Sequence, residues 1–138
     1  MPRITAAEFQ ALIERELPLV GLFGIETQAL GKGTASMRLR FDPRLIRPGG
    51  TIAGPALMAL ADVTFYAVVM GMIGQVELAV TTNLAINFLR RPAPRDVLAE
   101  GRILKLGKRL AVAECALRSA GEEDLVAHVT GTYSIPPV

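Results

Sequence analysis

One cysteine, one histidine and no tryptophan stand among the 138 residues of this chain. The lone Cys115 excludes an intramolecular disulfide and a cysteine-built metal cluster, and it fits a reducing compartment. No pair of histidines or carboxylates recurs at metal-ligand spacing, so no metal and no separate cofactor is expected. Aromatic residues make up only 5% of the chain, the net charge is +2, and there is no basic tract. Nucleic acid is therefore not an expected partner. The stretches "GKGTAS" and "KLGKR" lack the glycine, lysine and hydroxyl pattern of a phosphate-binding loop. The first 18 residues are amphipathic and charged, without the apolar core of a signal peptide, so a cytoplasmic location is expected.

Apolar residues are abundant instead. They form 51% of the chain against 20% charged, and the mean hydropathy is +0.38. The length suits a single domain over residues 1–138, with an N-terminal helix in residues 1–18. The apolar excess points to surface buried beyond the monomer core, as at a subunit interface. It concentrates in "RPGGTIAGPALMALADVTFYAVVMGMIG", residues 47–74, which holds one carboxylate, Asp62. As a membrane span this segment fails. An acid near the bilayer centre costs about 3 kcal/mol, Pro55 and several glycines interrupt the run, and no second span exists. A helix apolar all round is otherwise a core helix.

Thr5 followed by Glu8 is a capping-box pattern that opens a helix through about Glu16, ended by Pro18. Residues 20–41 read as a hairpin turning at "GKG". Ala35, Met37, Leu39 and Phe41 face one side, and Ser36, Arg38 and Arg40 the other. "DPRLIRPGG" is a loop. The long helix begins at Gly54-Pro55, where proline loses no hydrogen bond, and runs to about Met72. Strands follow at 77–90, 96–107, 109–119 and 125–135. Their short connectors favour antiparallel neighbours. The sum is an α+β domain: an antiparallel sheet of about six strands wrapped around one long helix, hiding all its faces.

A carboxylate in such a helix caps something in the core, pairs with an arginine such as Arg47, or works as a base or nucleophile in a cleft. The helix start offers free N–H groups to a developing oxyanion, and Gly54 lets a substrate approach. Gly54 and Asp62 are eight residues apart, about 12 Å at 1.5 Å per residue. One carbonyl cannot touch both within a chain. If both serve one reaction, they come from two antiparallel helices of a two-fold dimer. His128 reads as a packed or interface residue, and Cys115 as inert. Arg90, Arg91, Arg95, Lys105, Lys108 and Arg109 form a solvated rim or hold a phosphorylated tail.

"GPALMALADVTFYAVV", "AVTTNLAINFLRRPAPRDVLAEGRILKLGKRLAVAECAL" and "LVAHVTGTYS" resemble the hotdog-fold acyl-CoA thioesterases of the phenylacetate-degradation type, PaaI-like proteins. The likeness covers roughly residues 20–135. It implies a hotdog fold, dimers that often pair into homotetramers, and hydrolysis of an acyl-CoA thioester. It also implies Asp62 as base or nucleophile, Gly54 as oxyanion donor, and Thr81, with Thr82 beside it, orienting the attacking water. Arg47, Thr82, Arg90, Arg91, Lys108 and Arg109 are the expected substrate contacts. The family's usual His-Gly-Gly is Ala53-Gly54-Pro55 here, and Arg47 replaces its Asn or Gln. The alternatives are a non-catalytic acyl-CoA-binding or structural protein in which Arg47 neutralises Asp62, and a dehydratase or hydratase of 3-hydroxyacyl thioesters that uses His128. Met58, Phe65 and Phe88 are candidates to line the acyl pocket.

Overall fold

A computed structural model describes residues 1–137 of the chain. The first helix, α1 (Ala6–Glu16), carries the expected capping box. The Thr5 hydroxyl accepts from the Glu8 N–H at 3.1 Å, and the Glu8 carboxylate accepts from the Thr5 N–H at 2.9 Å. Phe9, Leu12 and Ile13 form its buried face. Pro18 ends α1 but also caps a second short helix, α2 (Leu19–Phe23), inside the segment read as pure hairpin. An apolar run this short has no period to separate helix from strand. The hairpin itself follows as β1 (Ile25–Gly31) and β2 (Thr34–Leu39), paired antiparallel. Along β2, Ala35, Met37 and Leu39 are buried while Ser36 and Arg38 are half-open, the alternation of a strand with one wet face.

The loop, with a 3₁₀ turn at Pro43–Leu45, leads to the long helix α3 (Gly54–Ile73). Four strands complete the chain: β3 (Val80–Phe88), β4 (Val97–Leu106), β5 (Leu110–Ser119) and β6 (Leu125–Ser134). All six strands form one antiparallel sheet in the order β1-β2-β4-β5-β6-β3. A single long helix held in a curved antiparallel sheet is the hotdog arrangement. The two layers touch so closely that the sheet needs glycine beneath the helix. A Cβ on Gly131 would lie 2.5 Å from the Phe65 ring, and one on Gly101 2.7 Å from Thr64.

Two expectations need correction. The short β3–β4 connector does not join neighbours: β3 pairs with β6 at the far edge, three strand spacings from β4. That gap is about 14 Å, and residues 89–96, stiffened by Pro92 and Pro94, are long enough to cross it. Nor does the sheet hide every face of α3. Pro55 and Met58 are exposed, and Ala59, Asp62 and Tyr66 are half-open. These positions recur every three to four residues, so they form one stripe. Six strands of one chain curl round only part of a helix. Beside the stripe runs β3, whose outer edge pairs with no strand. Every residue of β3 is exposed or half-open, and Val80 at its start and Leu78 just before it are among the exposed apolar side chains.

By length and composition α3 would cross a membrane, but 67% of its apolar window is buried inside the fold, as in a core helix.

Candidate active site

Asp62 sits in the middle of the open stripe. Its Oδ1 accepts from the Thr81 hydroxyl at 2.5 Å and from the Tyr133 hydroxyl at 2.9 Å. The Tyr133 hydroxyl also lies 3.0 Å from the Asp62 carbonyl oxygen. Oδ2 has no hydrogen-bond partner among the described residues. It is not sealed in the core either, since no buried side-chain polar atom there lacks a partner. One carboxylate oxygen is thus fixed, and the other is presented to a cleft of about 370 Å³. Glu16, Leu17, Tyr66, Glu77, Leu78 and Val80 help line that cleft.

Strand register explains this cluster. Thr81 on β3 is directly opposite Tyr133 on β6, and both face α3. A bulge after Thr81 places Thr82 as an extra residue, and the Thr82 hydroxyl donates to the Thr132 carbonyl at 3.2 Å. Burial, reinforced by the charge on Asp62, pushes the Tyr133 phenol far above the usual tyrosine range. Tyr133 is therefore a fixed proton donor to the carboxylate. Burial, with Glu77 and Glu16 nearby, also raises Tyr66, whose hydroxyl donates to the Glu77 carbonyl at 2.7 Å. Sequence reasoning did not single out either tyrosine. Alternation along "LVAHVTGTYS" puts Val129, Gly131 and Tyr133 on one face, but only the pairing register shows what Tyr133 meets.

Gly54 lies at the other end of the stripe. Ala53 gives α3 no side-chain cap. Pro55 has no N–H, and the N–H groups of Ala56 and Leu57 both bond to the Ala53 carbonyl. The Gly54 N–H has no partner among the described residues, so it is the free donor of the first turn. Gly54 lines a cavity of about 390 Å³ together with Arg47, Thr51, Leu57, Phe88, Arg90 and Arg91, among others. A Cβ on residue 54 would come within 3.3 Å of Phe88 Cζ.

The structure thus gathers Asp62 with Thr81, and Gly54 with Arg47, Arg90 and Arg91, in separate cavities. Arg47 makes no ion pair with Asp62 within the chain. Lys108 borders a third groove with Ile73, Val76 and Pro136, and Arg109 Nε donates to the Ile135 carbonyl at 3.1 Å. Met58 is exposed on the stripe beside these sites and Phe65 is fully buried. His128 lies on the sheet face away from α3, its Nε2 3.0 Å from Glu114 Oε1, and Arg102 pairs with the same glutamate. Cys115 is buried and its thiol is pushed up to about 12 by that burial. Among the described residues, no group of His, Cys, Asp and Glu is arranged to hold a metal ion.

The fold is the hotdog arrangement, and comparison with known proteins makes the chain a thioester hydrolase. The sequence profile of the Thioesterase superfamily matches residues 49–126, and the chain belongs to that family. A solved structure from Silicibacter sp. TM1040, named as a thioesterase, is 43% identical with a TM-score of 0.90, covering 99% of this chain and 95% of that one. A Saccharolobus solfataricus protein named as an esterase is 30% identical over 97% of this chain and 87% of its own length. The phenylacetic acid degradation protein PaaI of Thermus thermophilus is 26% identical, with a TM-score of 0.76, covering 86% of this chain and 99% of that one.

Proposed function

We propose that this protein hydrolyses acyl-CoA thioesters at sites shared by two protomers, with Asp62 from one and the Gly54 N–H from its partner. The observation that carries the reading is that both working groups are left free on one open stripe. Asp62 keeps Oδ2 unpaired, Gly54 keeps its N–H unpaired, and about 12 Å of helix separates them. A two-fold dimer that pairs β3 with β3 of a second copy gives the bare edge a partner. It also lays the two stripes side by side, running in opposite directions. Asp62 of each chain then lies near Gly54 of the other, over the exposed apolar side chains.

The chemistry needs only these groups. Water adds to the thioester carbonyl as Asp62 Oδ2 takes its proton, or Oδ2 adds to the carbonyl itself and water releases the acyl group afterwards. The carbonyl oxygen gains negative charge, which the Gly54 N–H and the positive end of α3 stabilise. The carbon–sulfur bond then breaks, and the CoA thiolate leaves and is protonated. Thr81 and Tyr133 hold Oδ1, which fixes the direction of Oδ2. Leu110 pairs with Ser134 and Ser134 with Val80, so the β4–β5 tip with Lys108 and Arg109 stands at the Asp62 end of the sheet. Those two cations suit the phosphates of CoA, and Thr82 and Arg90 border the path of the substrate. Two such dimers stacked together would make a homotetramer. Release of free thiol from a panel of acyl-CoA esters, compared between wild type and Asp62→Ala, tests the assignment. Equal activity in the two would overturn it. The competing reading, in which Arg47 neutralises Asp62, predicts CoA-ester binding with no turnover.

A further inference from the structure

Two cavities meet at the start of α3. The larger, of about 390 Å³, is lined by Gly54 among others. The smaller, of about 170 Å³, is lined by Arg47, Pro48, Gly49, Thr51 and Arg91. Arg47, Thr51 and Arg91 line both, so the small niche adjoins the oxyanion donor. No carboxylate of the same chain lines either cavity. Neither the Arg47 nor the Arg91 guanidinium has an ion-pair or hydrogen-bond partner among the described residues. Arg90, which also lines the larger cavity, pairs with Asp124, and Arg38, Arg40 and Arg44 pair with Asp96, Glu26 and Asp42. Arg3 and Arg118 are unpaired too among the described residues, but neither lines these cavities. Both arginines are exposed, so solvent screens them from each other, but two unmatched cations lining one niche still favour an entering anion. The planar guanidinium presents paired donors that fit a carboxylate or phosphate.

We infer that this niche receives a carboxylate at the far end of the acyl group, so the preferred substrates are CoA thioesters of short dicarboxylic acids. The inference rests on the thioesterase reading of Asp62 and Gly54. Within such a substrate an oxyanion has two sources, the acyl group and the phosphates of CoA. The long pantetheine arm holds the phosphates away from the thioester, and its span exceeds the width of a cavity this size. An acyl chain instead begins at the carbonyl carbon on Gly54, and a few carbons carry its terminal carboxylate into the adjoining niche. Thr51 adds a hydroxyl donor there. The Lys108 and Arg109 tip is left for the phosphates, so the two ends of the substrate meet different cations.

Binding of CoA thioethers tests this without requiring hydrolysis. S-(3-carboxypropyl)-CoA and S-butyl-CoA differ only in the terminal carboxylate, and calorimetry reads each affinity. The carboxylated compound is expected to bind at least about ten-fold tighter to wild type, the scale of one charge-assisted contact. Arg91→Gln and the double variant Arg47→Gln/Arg91→Gln should erase that ratio. Equal affinities in wild type would overturn the inference while leaving the thioesterase reading intact. So would an equal loss for both compounds in the variants, which would assign the arginines to phosphates. The matching pantetheine thioethers, which lack the nucleotide, decide that point: phosphate-binding arginines lose their effect there, and carboxylate-binding ones keep it. Absence of turnover on every CoA ester, with the ratio preserved, would overturn the hydrolase reading alone.

Discussion

The hydroxyl of Tyr133 lies 2.9 Å from Oδ1 of Asp62 and donates to it. This bond ties the last strand to the middle of the central helix, and Thr81 from the edge strand closes on the same oxygen. Three elements far apart in sequence therefore converge on one atom. The consequence is directional. With Oδ1 occupied, the lone pairs left free on the carboxylate are those of Oδ2.

Asp62→Asn should abolish most of the thioesterase activity while preserving the fold. Asparagine keeps the shape and still accepts from Thr81 and Tyr133, but it cannot take a proton from water. A positioned general base contributes about 10²–10⁴-fold to rate, so kcat/KM for the best CoA ester should fall within that range. Circular dichroism and a thermal melt close to wild type would show that the loss is chemical.

Tyr133→Phe should lower kcat about ten-fold, because a hydrogen bond to a charged acceptor is worth about 1.5–3 kcal/mol. The tyrosine also predicts a pH signature. The chain has two tyrosines, and burial raises both Tyr66 and Tyr133. An ordinary phenol is half ionised near pH 10. In the folded protein, phenolate absorbance at that pH should stay well below half its final value. The unfolded chain gives up these protons near pH 10 while the folded one keeps them, so stability falls as pH rises past about 10. A folded-state midpoint at or below 10 would contradict the buried donor.

Cys115 should be silent toward thiol reagents in the native protein. Burial pushes its thiol up to about 12, so at pH 7 to 9 it carries a proton and is also shielded from solvent. Ellman's reagent should register about one thiol per chain after denaturation and essentially none before. This matters for the assay of activity, since released CoA is then counted against a blank background.

The sequence shows one level of this architecture more clearly than the next. The core helix is legible because an uncharged apolar run of that length, interrupted by Asp62, has few soluble solutions. The four later strands are legible from alternation and from turn residues. The order β4-β5-β6-β3 is not, because nothing local in "RPAPR" states that the chain passes beneath two strands before pairing again. Asp62 and Gly54 stand out as chemistry out of place, an acid in an apolar run and a glycine at a helix start. Tyr133 does not, since a tyrosine in a strand is ordinary until register sets it across from Thr81. The open stripe of Met58, Asp62 and Tyr66 is also invisible in sequence, because an all-round apolar helix looks the same whether its own sheet or a second chain covers it.

That second chain is testable by combining two broken sites. Gly54→Val places a branched side chain where even a Cβ would come within 3.3 Å of Phe88 Cζ, and it narrows the cavity that Gly54 lines. Asp62→Asn leaves a side chain that cannot take a proton. Each variant alone should be nearly inactive. Co-expressed with different affinity tags and purified through both, they yield dimers with one chain of each kind. If each site takes Asp62 from one protomer and Gly54 from its partner, one site of the pair is whole and the other doubly broken. Such dimers should show about half the wild-type turnover, as two-fold symmetry requires. If both groups of a site came from one chain, each site would carry a single lesion, and the mixed dimer would be as inactive as its parents. Capture of both tags in one particle also reports the assembly directly. Restored turnover therefore requires that each site take Asp62 from one protomer and Gly54 from its partner.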